Sequence, residues 1–519
     1  MHYRFTEIHA TKPTYDFAHG NCGFLLWHRK FLLAYENMLR AQGPSFKDVT
    51  LPYWNYFEDH DMNMFAGTSC NSIVTCSEFL ADHGGSNSRY PYRSDVNITS
   101  TGRTRGFCVA NGVTKSACAS SFGSLSGACD GCIVRGDWSN EGVFFPISKL
   151  GISHSIEKIA SGSEATTDPH DTLRKVLERG FHVDVHNTLN GTMSSTASPF
   201  DPVFFGHHGT IDLIQFVHNR CHYGTNEDNR RFDVFTQCSV KTRGAFVPIT
   251  SDTKITMDYG DQPAEDDPVI GKFFAGIGST YADFANPEEL GNNSYRYAVD
   301  EYFEALFKSE DVVCPPGTFA SDLRADRKHK HHRKHDQSDA SNDDLERNPV
   351  YEIINTLAAC GKELLERMPN LTQAEVAIQK SILECEATRQ RSGREFEDYS
   401  PEFRETFNMP DDSHPPCYRL LQRVKSGAIT MELSQSCRQE YGRLTDTKLM
   451  DGEFGKTFPS TTDSIDNGDE YDSESDSYDS TAGSEDRDSN ADSKRPIDDG
   501  STQVKSAHLR VAVRVRTSE

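Results

Sequence analysis

The chain has 519 residues, a formal net charge of −24 and a hydrophobic content of 36%, with a mean hydropathy of −0.63. Its length suits two or three folded units, and so polar a chain is expected to leave part of itself disordered. Nucleic-acid binding is excluded because phosphates call for a basic footprint, and a membrane partner because no apolar run approaches the ~18–20 residues that a spanning helix needs.

The opening segment "MHYRFTEIH" is polar and reads like the inside of a domain. It is not a secretory signal, so a start further upstream is expected. It offers two histidines, His2 and His9, and spacing alone does not choose between them. Next comes "AHGNCGFLLWHRKFLLAYENMLRAQG". Phe24, His28, Phe31, Leu32 and Tyr35 fall on one face of a helix that Gly43-Pro44 terminates. A lone histidine on such a face is ordinarily a satisfied core residue. His19 and His28 acquire another meaning from the histidines nearer the middle of the chain.

Thr101 to Ser139 reads as a long loop carrying Cys108, Cys118, Cys129 and Cys132, which needs disulfide staples. Fourteen cysteines in all favour an oxidising compartment. So do four N-x-S/T sequons at Asn97, Asn190, Asn292 and Asn370. The expected location is therefore extracellular. "GFHVDVHNTLNG" puts His182 and His186 one helical turn apart. In "SPFDPVFFGHHGTIDLIQFV", Asp201 is a good N-cap and Pro202 a good first-turn residue. His207 and His208 point about 100° apart, so only one is expected to face the core, and the register favours His208.

Two sets of three histidines result: His19 and His28 with either His2 or His9, and His182, His186 and His208. Imidazole suits copper, zinc, iron or nickel. Three ligands leave an open, catalytic position. Pairs of such sites are built in helical bundle cores, and the absence of an interleaved Glu-x-x-His argues against a di-iron carboxylate centre.

"RADRKHKHHRKHDQSDASNDD" reads as a solvated linker. Pro349 to Leu444 reads as a helical unit with Cys360, Cys385, Cys417 and Cys437. The Asp/Glu/Ser-rich stretch after Asp451 cannot fold on its own. It reads as a solubilising tail, with calcium or a mineral surface as an alternative contact. Its Tyr471 and Tyr478 are candidate phenols for self-oxidation. The final "HLRVAVRVRTSE" alternates like a strand. The domain boundaries expected are 1–310, 311–346, 347–446 and 447–519. The tripeptide Arg135 to Asp137 spells RGD, too short to mean more than chance.

These motifs together resemble the tyrosinases, the type-3 copper proteins. "DFAH" ending at His19, "FLLWHR" around His28 and "LPYWNY" resemble the first copper motif and its sequel. His182-x-x-x-His186, "NGTM", "DPVFFGHH" with Asp212 and the Tyr295-x-Tyr297 pair resemble the second. The resemblance covers roughly the first 300 residues. It implies a mainly α fold, a four-helix dicopper core with disulfide-stapled loops. It also implies two copper ions on His2, His19, His28, His182, His186 and His208. His2 is preferred over His9 because "MHYR" is similar to the M-H-Y-Y of animal members.

The implied activity is oxidation of catechols to o-quinones with O2, with phenolic small molecules or protein tyrosines as substrates. Asp212 is expected to accept a hydrogen bond behind a metal ligand. Glu178 is a candidate for the glutamate that helps deprotonate phenols. Val183 stands where hydroxylating members carry Asn and cannot bind a water, so monophenol hydroxylation is disfavoured. Phe17 stands where some members cross-link a Cys to the second ligand, so no thioether is expected, and Cys22 is assigned to a disulfide. The rival readings are a hemocyanin-like oxygen binder and a matrix protein with a dead site. Family resemblance also suggests that the helical unit at Pro349 to Leu444 covers the site.

Overall fold

The computed structural model describes residues 1–66, 70–86, 92–97, 103–109, 133–139, 169–223, 238–309, 349–449 and 514–516. The expectations for the Cys118/Cys129/Cys132 loop, the basic linker and the acidic segment with Tyr471 and Tyr478 lie outside these residues. The described part is mainly helical. It belongs to one compact unit, Met1–Lys456 with Val511–Glu519, and the other unit, Thr457–Arg510, falls outside the described residues.

Four of the helices that precede the first sheet's strands frame half of the site: α1 (His2–Ala10), α2 (Thr14–Ala18), α3 (Phe24–Arg40) and α4 (Tyr56–Met64). Helix α3 is the central rod. Of its residues only Asn37, Leu39 and Arg40 escape burial, so its polar side chains are buried along with its apolar face. Its buried charges are paired: Arg29 with Asp212, Lys30 with Glu265, and Glu36 with Arg40. The helix Val203–Tyr223 packs against α3, and every residue from Val203 to His218 is buried. Asp201 caps it as expected, accepting from the Val203 N–H at 3.2 Å.

Two glycines let this helix meet the Pro52-Tyr53-Trp54 segment. A Cβ on Gly209 would sit 2.7 Å from the Pro52 carbonyl oxygen, and one on Gly206 would sit 2.2 Å from the Phe79 ring. The close approach allows Trp54 N–H to bond the Gly206 carbonyl at 3.1 Å. The fourth side of the core is the segment Pro169–Leu189, where a π-helical turn, Glu178–His182, joins two α-helical stretches at a kink on Gly180.

The sheets are small. Strands β1 (Tyr92–Asn97), β2 (Arg103–Cys108) and β3 (Val134–Arg135) form an antiparallel trio. Hairpins pair β4 (Cys238–Thr242) with β5 (Ala245–Ile249), and β6 (Asp258–Tyr259) with β7 (Gln262–Pro263). Strand β8 (Tyr295–Tyr297) pairs antiparallel with β9 (Arg514–Arg516), so the end of the chain forms the strand that its alternation suggests.

Residues 349–449 form five helices with two disulfides of their own, Cys360–Cys437 and Cys385–Cys417. A capping box of Thr372 and Glu375 starts the helix Gln373–Ser392, and left-handed Gly393 ends it. Ile354 joins the main core, while Met64 of α4 joins the core of the helical unit. Cys22 pairs with Cys238, and Cys70 with Cys76. Arg135 of the RGD tripeptide is buried and bidentate to Asp201 at 2.6 and 2.7 Å, so its guanidinium is not available as a surface recognition group. No helix among the described residues is long and apolar enough to cross a membrane.

Candidate metal centre

The core helices assemble two histidine clusters. In the first, His9 comes from the last turn of α1, His19 from the residue after α2, and His28 from the second turn of α3. In the second, His182 ends the π-helical turn, His186 lies one turn on, and His207 and His208 come from the helix Val203–Tyr223. Within each cluster the ligand atoms lie within 4.8 Å of one another, and every member is buried. The clusters touch: the His28 and His208 rings stack at 4.2 Å between centroids, and His19 lies 6.4 Å from His182.

The hydrogen bonds set the tautomers. His9 Nδ1–H donates to the Thr196 carbonyl at 2.8 Å, His28 Nδ1–H to Phe24 at 2.8 Å and His186 Nδ1–H to Met193 at 2.6 Å. His19 and His182 donate to Tyr15 and Glu178 carbonyls, each at 3.2 Å. A carbonyl only accepts, so in each ring the proton sits on Nδ1 and the lone pair on Nε2. The Nε2 atoms of His9, His28, His182 and His208 are buried without a hydrogen-bond partner. Such orphaned acceptors are costly unless something else uses them, and a metal ion is what this donor set fits.

Burial is the first cause that drives these imidazoles toward neutrality, and neighbouring imidazoles add to it. His9 is pushed down to about 4 and His186 to about 3; His19, His28, His182, His207 and His208 fall well below the usual range. A neutral ring is the form that binds metal without first losing a proton.

Four expectations change here. The third member of the first cluster is His9, not His2. His2 lies seven residues earlier on α1, about 10 Å along the axis. Both its ring nitrogens are engaged, with Tyr35 Oη and the Phe200 carbonyl, each at 2.9 Å. His207 and His208 are both buried because the helix that carries them has no solvent face. His207 bonds the His182 carbonyl through Nε2 at 3.2 Å; the adjacent His-His pair was its sequence signal.

Asp212 does not stand behind a histidine. Its carboxylate takes Arg29 Nε–H at 2.7 Å and the hydroxyls of Tyr295 and Tyr297, each at 2.5 Å. The arginine beside His28, the aspartate after His-His and the Tyr-x-Tyr strand thus meet in one buried knot. Glu178 is buried, with Oε2 on Arg174 Nη1 at 2.9 Å and Oε1 on the Gly20 N–H at 2.5 Å. Both its oxygens face protein donors.

One further side chain escaped sequence reasoning. Phe407, from the C-terminal helical residues, places its ring 5.1 Å from His186 and 6.4 Å from His182. Phe403 packs 4.5 Å behind it and Tyr399 5.3 Å behind that. Val183 belongs to the same apolar cluster. Tyr399 hydroxyl donates to Asp184, and Tyr15 hydroxyl donates to the Thr406 carbonyl.

The fold and site define a helical protein with a paired, all-histidine metal centre. Residues 1–221 match the family model for the common central domain of tyrosinase, a type-3 dicopper family, and this central domain is what the chain shares with that family. It is 27% identical over 219 residues to a tyrosinase of Gallus gallus, covering 38% of this chain and 37% of that protein. It is 27% identical over 209 residues to tyrosinase-like protein 2 of Margaritifera margaritifera, covering 38% and 39%. A tyrosinase of Streptomyces lincolnensis is 27% identical over 209 residues, covering 39% and 65%. The match therefore spans between 37% and 65% of these three relatives. No solved structure matches the chain.

Proposed function

We propose that the protein is a copper oxidoreductase of the tyrosinase kind that oxidises catechols to o-quinones with O2. The observation that carries this reading is the pair of touching, buried histidine clusters with Nε2 lone pairs turned inward. His9, His19 and His28 would hold one copper; His182, His186 and His208 would hold the other, with His207 bracing the His182 main chain. A bound copper pair would supply the redox chemistry that passes four electrons and four protons from two catechols to one O2, giving two o-quinones and two waters. The protein's share is to keep seven imidazoles neutral, lock five Nδ1 protons on carbonyls and exclude water with Phe24, Phe31 and Phe204 around the rings.

Val183 offers no hydrogen-bonding group to a water, which favours catechol oxidation over monophenol hydroxylation. Phe407 over His186 supports a latent resting form in which the C-terminal helices cover the site. Disulfides and the exposed asparagines of three sequons, Asn190, Asn292 and Asn370, support an extracellular location. The acidic segment is read as a solubilising extension.

The test is metal analysis of copper-loaded protein together with oxygen uptake on catechol, before and after limited proteolysis. Two coppers per chain and quinone formation are expected. Fewer than two coppers, or no turnover in either state, would reject the reading. A reversible near-ultraviolet band on adding hydrogen peroxide, without turnover, would point instead to an oxygen binder.

A further inference from the structure

We infer that Glu178 is a positioning residue that fixes the spacing of the two histidine clusters. The inference rests on the dicopper reading. It replaces the expectation that this carboxylate handles substrate protons.

Glu178 is joined to both clusters at once. Its main-chain carbonyl accepts from His182 Nδ1–H at 3.2 Å and so aims that ring. Its side-chain Oε1 accepts the N–H of Gly20, the residue after His19, at 2.5 Å. Arg174, one helical turn earlier, holds Oε2 at 2.9 Å. The ion pair is almost wholly buried, with 4% and 6% side-chain exposure.

His19 needs such a tether more than the other members. Most of them sit in regular helix, whereas His19 follows the end of α2 in extended conformation. Gly20 turns left-handed at φ +72°. The loop is otherwise secured by the Cys22–Cys238 disulfide to β4 and by Asn21, whose side-chain amide reaches the Asp16, Phe17 and His19 carbonyls. These tie the loop to α2 and β4, not to the helix that carries the other cluster. Glu178 ties it to the helix that carries the other cluster. Constellations of this kind work only within about 0.5 Å of their productive geometry, so releasing the Gly20 N–H should alter the separation of the two metals before it costs either metal.

The test uses full-length, copper-loaded protein with Glu178→Gln, and with Glu178→Gln combined with Arg174→Met. In the single variant the charged Arg174 guanidinium takes the one amide oxygen, so the amide N–H group faces the Gly20 N–H, donor against donor, and the tether is released. In the double variant the guanidinium is gone, and the amide oxygen can still accept from Gly20. The readouts are copper per chain, the Cu(II) electron paramagnetic resonance signal of the oxidised protein, and catechol oxidation.

In the wild type a magnetically coupled pair gives almost no signal. The single variant should keep two coppers while its resonance signal rises at least about tenfold. The double variant should return to near silence and recover turnover. A single variant as silent as wild type would overturn the inference. So would a double variant that stays uncoupled, or one that is silent but as inactive as the single, since a proton-handling carboxylate is not restored by removing Arg174. If the single variant fails to fold, the double variant decides alone. Wild type with fewer than two coppers would overturn the dicopper reading itself, an outcome that copper analysis separates from the others.

Discussion

Replacing Phe407 by Ala tests the proposal that the C-terminal helices cover the site. The ring is buried, 4.5 Å from Phe403 and 5.1 Å from His186, so truncation removes packing worth about 3 kcal/mol, the low end for a buried Phe→Ala change. If all of that is lost from docking of the C-terminal helices, the open fraction rises by roughly two powers of ten, at about 1.4 kcal/mol for each factor of ten. Catechol oxidation by untreated Phe407→Ala should therefore exceed that of untreated wild type by about tenfold to a hundredfold, the ceiling being reached when opening is complete. Limited proteolysis should activate wild type strongly and the variant little. The assay is quinone absorbance on matched, copper-loaded samples. A folded, copper-replete variant that is as slow as untreated wild type, and is activated equally by protease, would refute the covering role.

Other outcomes rest on the same geometry. Asp212→Asn leaves the buried Arg29 charge uncompensated and should cost about 3–5 kcal/mol of stability in urea unfolding; Asp212→Leu with Arg29→Met should cost clearly less, and equal losses would contradict the paired-charge account. His9→Ala should lower copper binding to about one per chain, while His2→Ala should leave two; the reverse result would restore the preference for His2. Histidines with folded pKa values below the unfolded value near 6.5 contribute stability that is present above that pH and lost as pH falls. The copper-free protein should thus lose stability progressively from about pH 6.5 toward the values of about 4 and 3 for His9 and His186. Buried Asp59 and Asp184, raised to about 7, act oppositely, their contribution being lost as pH rises from about 4 to 7; the depressed histidines outnumber them, so a melting temperature that does not fall from about pH 6.5 to 4 would contradict the histidine account. The four cysteines of the C-terminal helices pair only with each other. Cleavage between Arg324 and Asp344 should therefore yield two pieces that separate in detergent without reductant, and persistence of one band would show a cross-link.

The sequence by itself determined the elements that local chemistry and spacing encode. His182 and His186 at one-turn spacing, the Asp201 cap, the apolar register of α3 and the clustering of cysteines each involve residues close in the chain, where helix geometry leaves little choice. Cys22 was legible as a disulfide half, though not its partner 216 positions away. Tertiary structure decided everything that depended on which groups meet across the core. His2 and His9 lie on the same short helix, and only the approach of Thr196, Phe204 and α3 selects His9. Asp212 and Glu178 look alike as buried acids near histidines; the arrival of Arg29 with two tyrosines at one, and of Arg174 with the Gly20 amide at the other, gives them their roles. Phe407 carried no sequence signal at all, because an aromatic on an amphipathic segment does not say what it packs against. Local pattern fixes periodicity and caps, whereas the pairing of distant side chains is set by the packing of the whole core.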